Sequence, residues 1–194
     1  MNQQVLSPNR IWTLMRHDIQ INKKSLISAF GAIAGVAVGL FVIASLTSDS
    51  QTGFHESLFV NVLIIGGFVA SSVAFGELHD TPKGLHYLML PGSTFEKYVA
   101  KLLLTSIGWA AAATATYIVA TIVGSVIVLP FGLSNPGIFL PVGRALWQAI
   151  GGYLIIQSVF LFGSIYFKKA AFFKTVVVLA LVAFVLGFFY AITA

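Results

Sequence analysis

The sequence predicts an all-α, polytopic integral membrane bundle. Three observations carry that reading: 58% of its 194 residues are apolar, only 9% are charged, and the mean hydropathy is +0.93. A soluble domain of this size carries about 25% charged residues, and 11 basic with 6 acidic side chains are too few to coat a globule. Composition therefore excludes a soluble enzyme, a disordered tail and a secreted disulfide scaffold. The absence of cysteine excludes disulfides, thiolate nucleophiles and cysteine metal sites together.

The elements follow from where the apolar residues cluster. A hydrocarbon core about 30 Å thick needs roughly 20 apolar residues as a helix, and five stretches meet that length: 26–46, 58–76, 102–129, 146–167 and 175–192. None holds an acidic or basic side chain, and Pro8, Pro82, Pro91, Pro130, Pro136 and Pro141 all lie outside them. Proline and bare charge cost most in mid-membrane, so this partition favours helices. A transmembrane barrel would need alternating segments of about ten residues, which are missing. The chain is thus read as one transmembrane domain over 1–194, with about five spans and room for a sixth only if an element is hidden.

Before the first span, residues 10–22 place Ile11, Trp12, Leu14, Met15 and Ile19 at steps of three and four, with Arg10, Thr13, Arg16, His17 and Gln20 opposite. That pattern predicts an amphipathic helix lying in the headgroup plane. The first apolar run is too long for a signal-peptide core and has no small-x-small cleavage pattern after it, so it is read as retained. Within it, Gly31, Gly35 and Gly39 repeat at four-residue spacing beside Ser28, Ala32 and Ala34. In lipid such a surface lets two backbones approach closely. Two occupants stay open: another helix of the same chain, or a second subunit. Ala110 to Ala113 with Thr114 and Thr121, and Gly151 with Gly152, are weaker signals of the same kind.

Basic residues set the orientation. Arg10, Arg16, Lys23, Lys24, Lys83, Lys97, Lys101, Lys168, Lys169 and Lys174 fall on one side of the five spans, and Arg144 alone on the other. The positive-inside rule then puts the amino terminus in the cytoplasm and the carboxyl end outside. The formal charge of +5 is topological, which argues against nucleic acid as a partner.

The segment between spans two and three, 78–97, is the most distinctive. Pro82 and Gly84 break the second helix, a short apolar stretch runs from Leu85 to Leu90, and Pro91 with Gly92 stops it. Ser93-Thr94-Phe95-Glu96 fits a capping box, in which the serine oxygen takes the Glu96 amide and the carboxylate returns to the Ser93 amide. From Thr94 to Val128 the pattern stays helical, about 50 Å at 1.5 Å per residue, so the third helix should project well beyond the bilayer.

An amphipathic leader, two spans, and then Tyr87-Leu88-Met89-Leu90-Pro91-Gly92-Ser93-Thr94-Phe95-Glu96-Lys97 opening a long third helix resemble permease subunits of the ABC-2 type transporter family. The resemblance covers roughly residues 10–192, of which about twenty are motif-like. Members usually have six spans, whereas five are found here. The resemblance implies a multi-pass protein of the bacterial inner membrane that pairs with a second copy or a paralogue. It also implies an ABC ATPase docked on the loop between spans two and three, at Leu85, Tyr87, Leu88, Leu90, Pro91, Ser93, Glu96 and Lys97.

The remaining residues are compatible with that expectation. No phosphate-binding glycine loop is present, so ATP hydrolysis is expected in a separate subunit, and no cofactor, catalytic or metal motif is found. His79, Asp80 and His86 match no helical ligand spacing, and Glu77 or Asp80 is read as available for a salt bridge to a partner. Intramembrane acids that would mark a proton pathway are absent. The loop 130–141, with Phe131, Leu133, Ile138, Phe139 and Leu140, should rest on the outer interface or dip back into protein. Trp147 and Tyr153 are placed to anchor the fourth span near the outer surface. Gln148, Gln157, Thr114, Thr116 and Tyr117 are expected to make interhelical hydrogen bonds. Besides an export permease, a non-transporting anchor or assembly subunit and a small membrane enzyme acting on lipid remain as readings. The enzyme alone would depend on His79, Asp80 or His86.

Overall fold

A computed structural model describes residues 7–46, 54–79, 81–132, 138–141 and 143–193, and among these every regular element is helical. The leader forms α1 (Pro8–Ile21), and α2 (Lys23–Leu46) follows after a one-residue elbow at Asn22. Then come α3 (Phe54–Val73), a 3-10 turn (Gly76–His79), α4 (Thr81–Met89) and α5 (Thr94–Leu103). A π-helical turn (Leu104–Gly108) joins α5 to α6 (Trp109–Val128), and α7 (Arg144–Tyr166) and α8 (Ala171–Thr193) complete the chain. Among the described residues, five helices are long and apolar enough to cross a membrane.

The helix opened by Ser93 runs unbroken over Thr94–Phe131, 38 residues. That is about 57 Å at 1.5 Å per residue, so it outreaches a hydrocarbon core as the sequence predicts. The sequence does not announce the π turn within it. There Thr105 and Ser106 direct their hydroxyls to the carbonyls of Lys101 and Leu102 at 2.9 and 2.6 Å. Hydroxyls that bond back into the ladder are a recognised cause of such local widening.

The bundle is organised around α6, with α2 on one side and α3 on the other; α3 packs on α7, and α7 on α8. With no hydrophobic drive between helices in lipid, close packing decides, and here it is made by rings seated on glycine. Trp109 lies against Gly66, Tyr153 against Gly67 and Phe41 against Gly124. Away from α1, the end that holds His55 is closed by aromatic rings: Phe59 stacks on Phe139 at 4.9 Å and Tyr117 meets Phe139 edge-on at 5.0 Å. Phe139, 3% exposed, brings the loop back into the protein, while Ile138 and Leu140 stay outside. Leu133 and Pro136 lie outside the described residues.

One expectation is corrected and another is narrowed. Tyr153 is 1% exposed and donates its hydroxyl to the carbonyl of Thr105 in the π turn, so it is a core residue and only Trp147 faces outward. Gly31, Gly35 and Gly39 meet nothing within 4 Å, because α2 turns its other face, with Ala37 and Phe41, to α6. Of the two occupants the spacing allows, no described residue of this chain is one. The polar groups in the spans divide similarly. Gln157 accepts from Ser71 at 2.9 Å and lies 3.3 Å from the Thr105 hydroxyl, and Tyr117 meets His55 at 3.3 Å, whereas Thr114 bonds back to Ala110 in its own helix.

Candidate functional site

The candidate site lies at the basic end of the bundle, where α1, α4 and the start of α5 meet. Its anchor is local. Ser93 Oγ accepts from the Glu96 amide at 3.1 Å and Glu96 Oε2 accepts from the Ser93 amide at 2.9 Å, which completes the capping box. Pro91 and Gly92 stop α4 just before it, with Gly92 at φ +158°. Ser93→Ala should remove one of the two cap bonds and cost about 1 kcal/mol, seen as a lower midpoint in thermal unfolding of the detergent-solubilised protein.

The same carboxylate does long-range work. Glu96 Oε1 accepts from the amide of Ser7 at 2.8 Å and from Arg10 Nε at 3.1 Å. The Glu96 side chain is fully enclosed, and the amides of Ser93 and Ser7, then Arg10, hold its carboxyl below the usual carboxylate range against the opposing effect of burial. At the next residue, Lys97 donates to the Leu88 carbonyl at 3.0 Å, which ties the end of α4 to α5. One turn on, Lys101 is ion-paired with Asp18 and lies 4.0 Å from Glu77. Leu14, a buried residue of α1, completes the seam by packing beside Gly92.

A cavity of about 290 Å³ sits inside this junction, lined by Leu14, Asp18, Tyr87, Leu90, Lys97 and Lys101. The Tyr87 ring has the ammonium groups of Lys97 and Lys101 at 5.5 and 5.7 Å from its centroid, within cation–π reach. Its hydroxyl is buried without a hydrogen-bond partner among the described residues. Burial, and after it Asp18 and Glu77, push that hydroxyl above the ordinary tyrosine value.

The residues expected to meet an ATPase therefore fall into two groups. Leu85 and Leu88 on α4, with Met89 beside them, are exposed at 59%, 65% and 83%, and Pro91 and Ser93 are also at the surface. Glu96 and Lys97 are buried instead, spent on Ser7, Arg10 and Leu88 within the chain, and Tyr87 and Leu90 line the cavity. Glu77, expected to reach a partner, faces Lys101. His79 points Nε2 at the Ser164 carbonyl at 3.0 Å, while Asp80 and the His86 side chain lie outside the described residues. No group of three His, Cys, Asp or Glu with metal-binding proximity occurs among the described residues.

Sequence reading missed Asp18 as the partner of Lys101. The one signal was compositional: it is the single acid among the first 25 residues, on a helix whose other polar residues are neutral or basic. Comparison with family models, with curated proteins and with solved structures finds no match.

Proposed function

We propose that the chain is the membrane-spanning permease subunit of an ATP-driven exporter and that α4 is its docking helix for a separate ABC ATPase. In this reading the basic end is cytoplasmic, as the distribution of lysine and arginine favours. The membrane is the bacterial inner membrane, and a second copy or a paralogue packs on the open Gly31, Gly35 and Gly39 face. The cargo is an amphiphilic or peptide-like molecule.

The observation that carries the reading is the exposed apolar face of a helix only nine residues long, joined rigidly to a 38-residue helix that crosses the bilayer. Leu85, Leu88 and Met89 project from α4 in the extramembrane part of the chain, where a solvated loop gains nothing from them. A cleft in a partner would bury them. The Lys97 bond to the Leu88 carbonyl and the Ser93–Glu96 cap make α4 and α5 move together. A push on α4 is then delivered along the axis of the third span instead of being absorbed in the loop.

Leu88→Arg tests it. Burying a leucine is worth about 1.5–3 kcal/mol, so a co-expressed partner ABC ATPase should be recovered with it at least about tenfold less. Insertion and monodispersity of the membrane subunit should stay as they were, since Leu88 touches no span. Unchanged recovery of the ATPase would overturn the placement of the docking helix.

A further inference from the structure

A second and larger hollow opens beside the charged junction. α2 and α3 both lean on α6 but barely touch each other at the basic end, which leaves a cleft of about 690 Å³ between them. Leu26 and Phe30 form one wall, Ala70 and Val73 the other, and Leu104 and Trp109 line it from the third helix. At mid-bundle Phe30 stacks on Trp109 at 5.4 Å and bounds it there. At the basic end its lining turns polar, with Asn22, Ser25, Asp18, Glu77 and Lys101. The size, and an apolar lining with a few polar groups at one end, fit a binding site for one amphiphile.

We propose that this cleft holds one phospholipid from the leaflet at the basic end, with an amine-bearing zwitterionic headgroup, phosphatidylethanolamine. The acyl chain fills the apolar part, which in a bilayer opens towards lipid tails and would otherwise leave its walls without contacts. The headgroup is selected by charge order. Asp18 and Glu77 stand on either side of Lys101, two carboxylates to one ammonium, and keep 17% and 28% of their side-chain surface open. Glu77 lies 4.0 Å from Lys101, beyond hydrogen-bond reach, so its oxygens retain acceptor capacity for an N–H donor. A primary ammonium supplies that donor, and the phosphate that precedes it meets Lys101. Phosphatidylglycerol brings only the anion to a mouth that already carries an excess of negative charge. Phosphatidylcholine brings a cation with no N–H to give.

The site is independent of the docking proposal, since none of its residues lies on the exposed face of α4, and its test reads lipid alone. Trp12→Phe with Trp147→Phe, both at exposed positions that do not line the cleft, leaves Trp109 as the sole tryptophan. That variant is reconstituted in phosphatidylcholine vesicles containing a minor fraction of chain-brominated phosphatidylethanolamine, phosphatidylglycerol or phosphatidylcholine. Brominated phosphatidylethanolamine should reach half-maximal quenching of Trp109 at about a fivefold lower mole fraction than the others, the ratio one net hydrogen bond gives. Glu77→Leu, which has no acceptor, should remove the preference. Ala112→Phe, which fills the cleft but leaves the charges in place, should lower quenching by phosphatidylethanolamine to the level of the host lipid. Equal quenching by all three lipids, or stronger quenching by phosphatidylglycerol, would overturn the proposal.

Discussion

Glu96→Ala is expected to unlatch the leading helix while the bundle stays inserted. One buried carboxylate collects the Ser7 amide at 2.8 Å, Arg10 Nε at 3.1 Å and the Ser93 amide at 2.9 Å. Truncation strands the two amides, which have no other acceptor among the described residues, and leaves the guanidinium without this carboxylate. Buried donors left unsatisfied are costlier than bonds never made. The first turns of α1 should therefore exchange their amide hydrogens faster by about an order of magnitude, the factor that one charge-assisted bond carries. The last turn should change less, because Asp18 still holds Lys101. Hydrogen exchange by mass spectrometry, with trypsin cleavage after Arg10 and Arg16 as a second readout, separates the two. Equal protection in variant and parent would mean that Leu14 and its apolar neighbours hold α1 without help.

The same latch has a sign with pH. The Glu96 carboxyl is held below its ordinary value, chiefly by the Ser93 and Ser7 amides. The folded state therefore binds fewer protons there than the unfolded state, and the stabilisation is complete above the unfolded value of about 4.3. It is lost as pH falls through the lowered folded value. Protection of the first turns of α1 should be level from neutral pH down to about pH 5 and decline only in stronger acid. Glu96→Gln should abolish that acid-dependent part of the decline.

What was legible in the sequence is what local pattern dictates. The five spans could be read because a charge or a proline in hydrocarbon is costly, so the polar residues marked their ends. The cap of α5 could be read because Ser93 and Glu96 are three residues apart. The other partners of Glu96 could not, because Ser7 and Arg10 lie 89 and 86 residues away, and no spacing rule reaches that far. Tyr153 was misplaced for a related reason: the π turn that offers it the Thr105 carbonyl depends on hydroxyls bonding back into the helix. Glu96 and Lys97 looked like surface charges because burial follows from tertiary contact, to which the sequence motif is blind.

The glycines make the sharpest case and the second large prediction. Periodicity singled out Gly31, Gly35 and Gly39, yet a methyl group added at any of them meets nothing within 4 Å. Within the spans the tight sites are Gly66, Gly67, Gly124 and Gly163, where the neighbour is a ring or a threonine side chain. Four-residue spacing reports a strip flat enough for another backbone; a single glycine under an aromatic ring leaves no such repeat. Gly67→Val should consequently be severe. Tyr153 cannot swing aside, being 1% exposed and tethered through its hydroxyl to Thr105, so α3 and α7 must separate. Overpacking of this kind costs about 1–3 kcal/mol or more, visible as a lower thermal midpoint and a broadened size-exclusion profile in detergent. Gly35→Val should leave the midpoint of the monomer close to the parent's, because its side chain projects into open space. If the exposed strip on α2 receives a second copy, the same variant lowers the oligomer fraction by chemical crosslinking. A Gly35→Val protein as unstable as Gly67→Val would mean that the strip is buried within the chain after all.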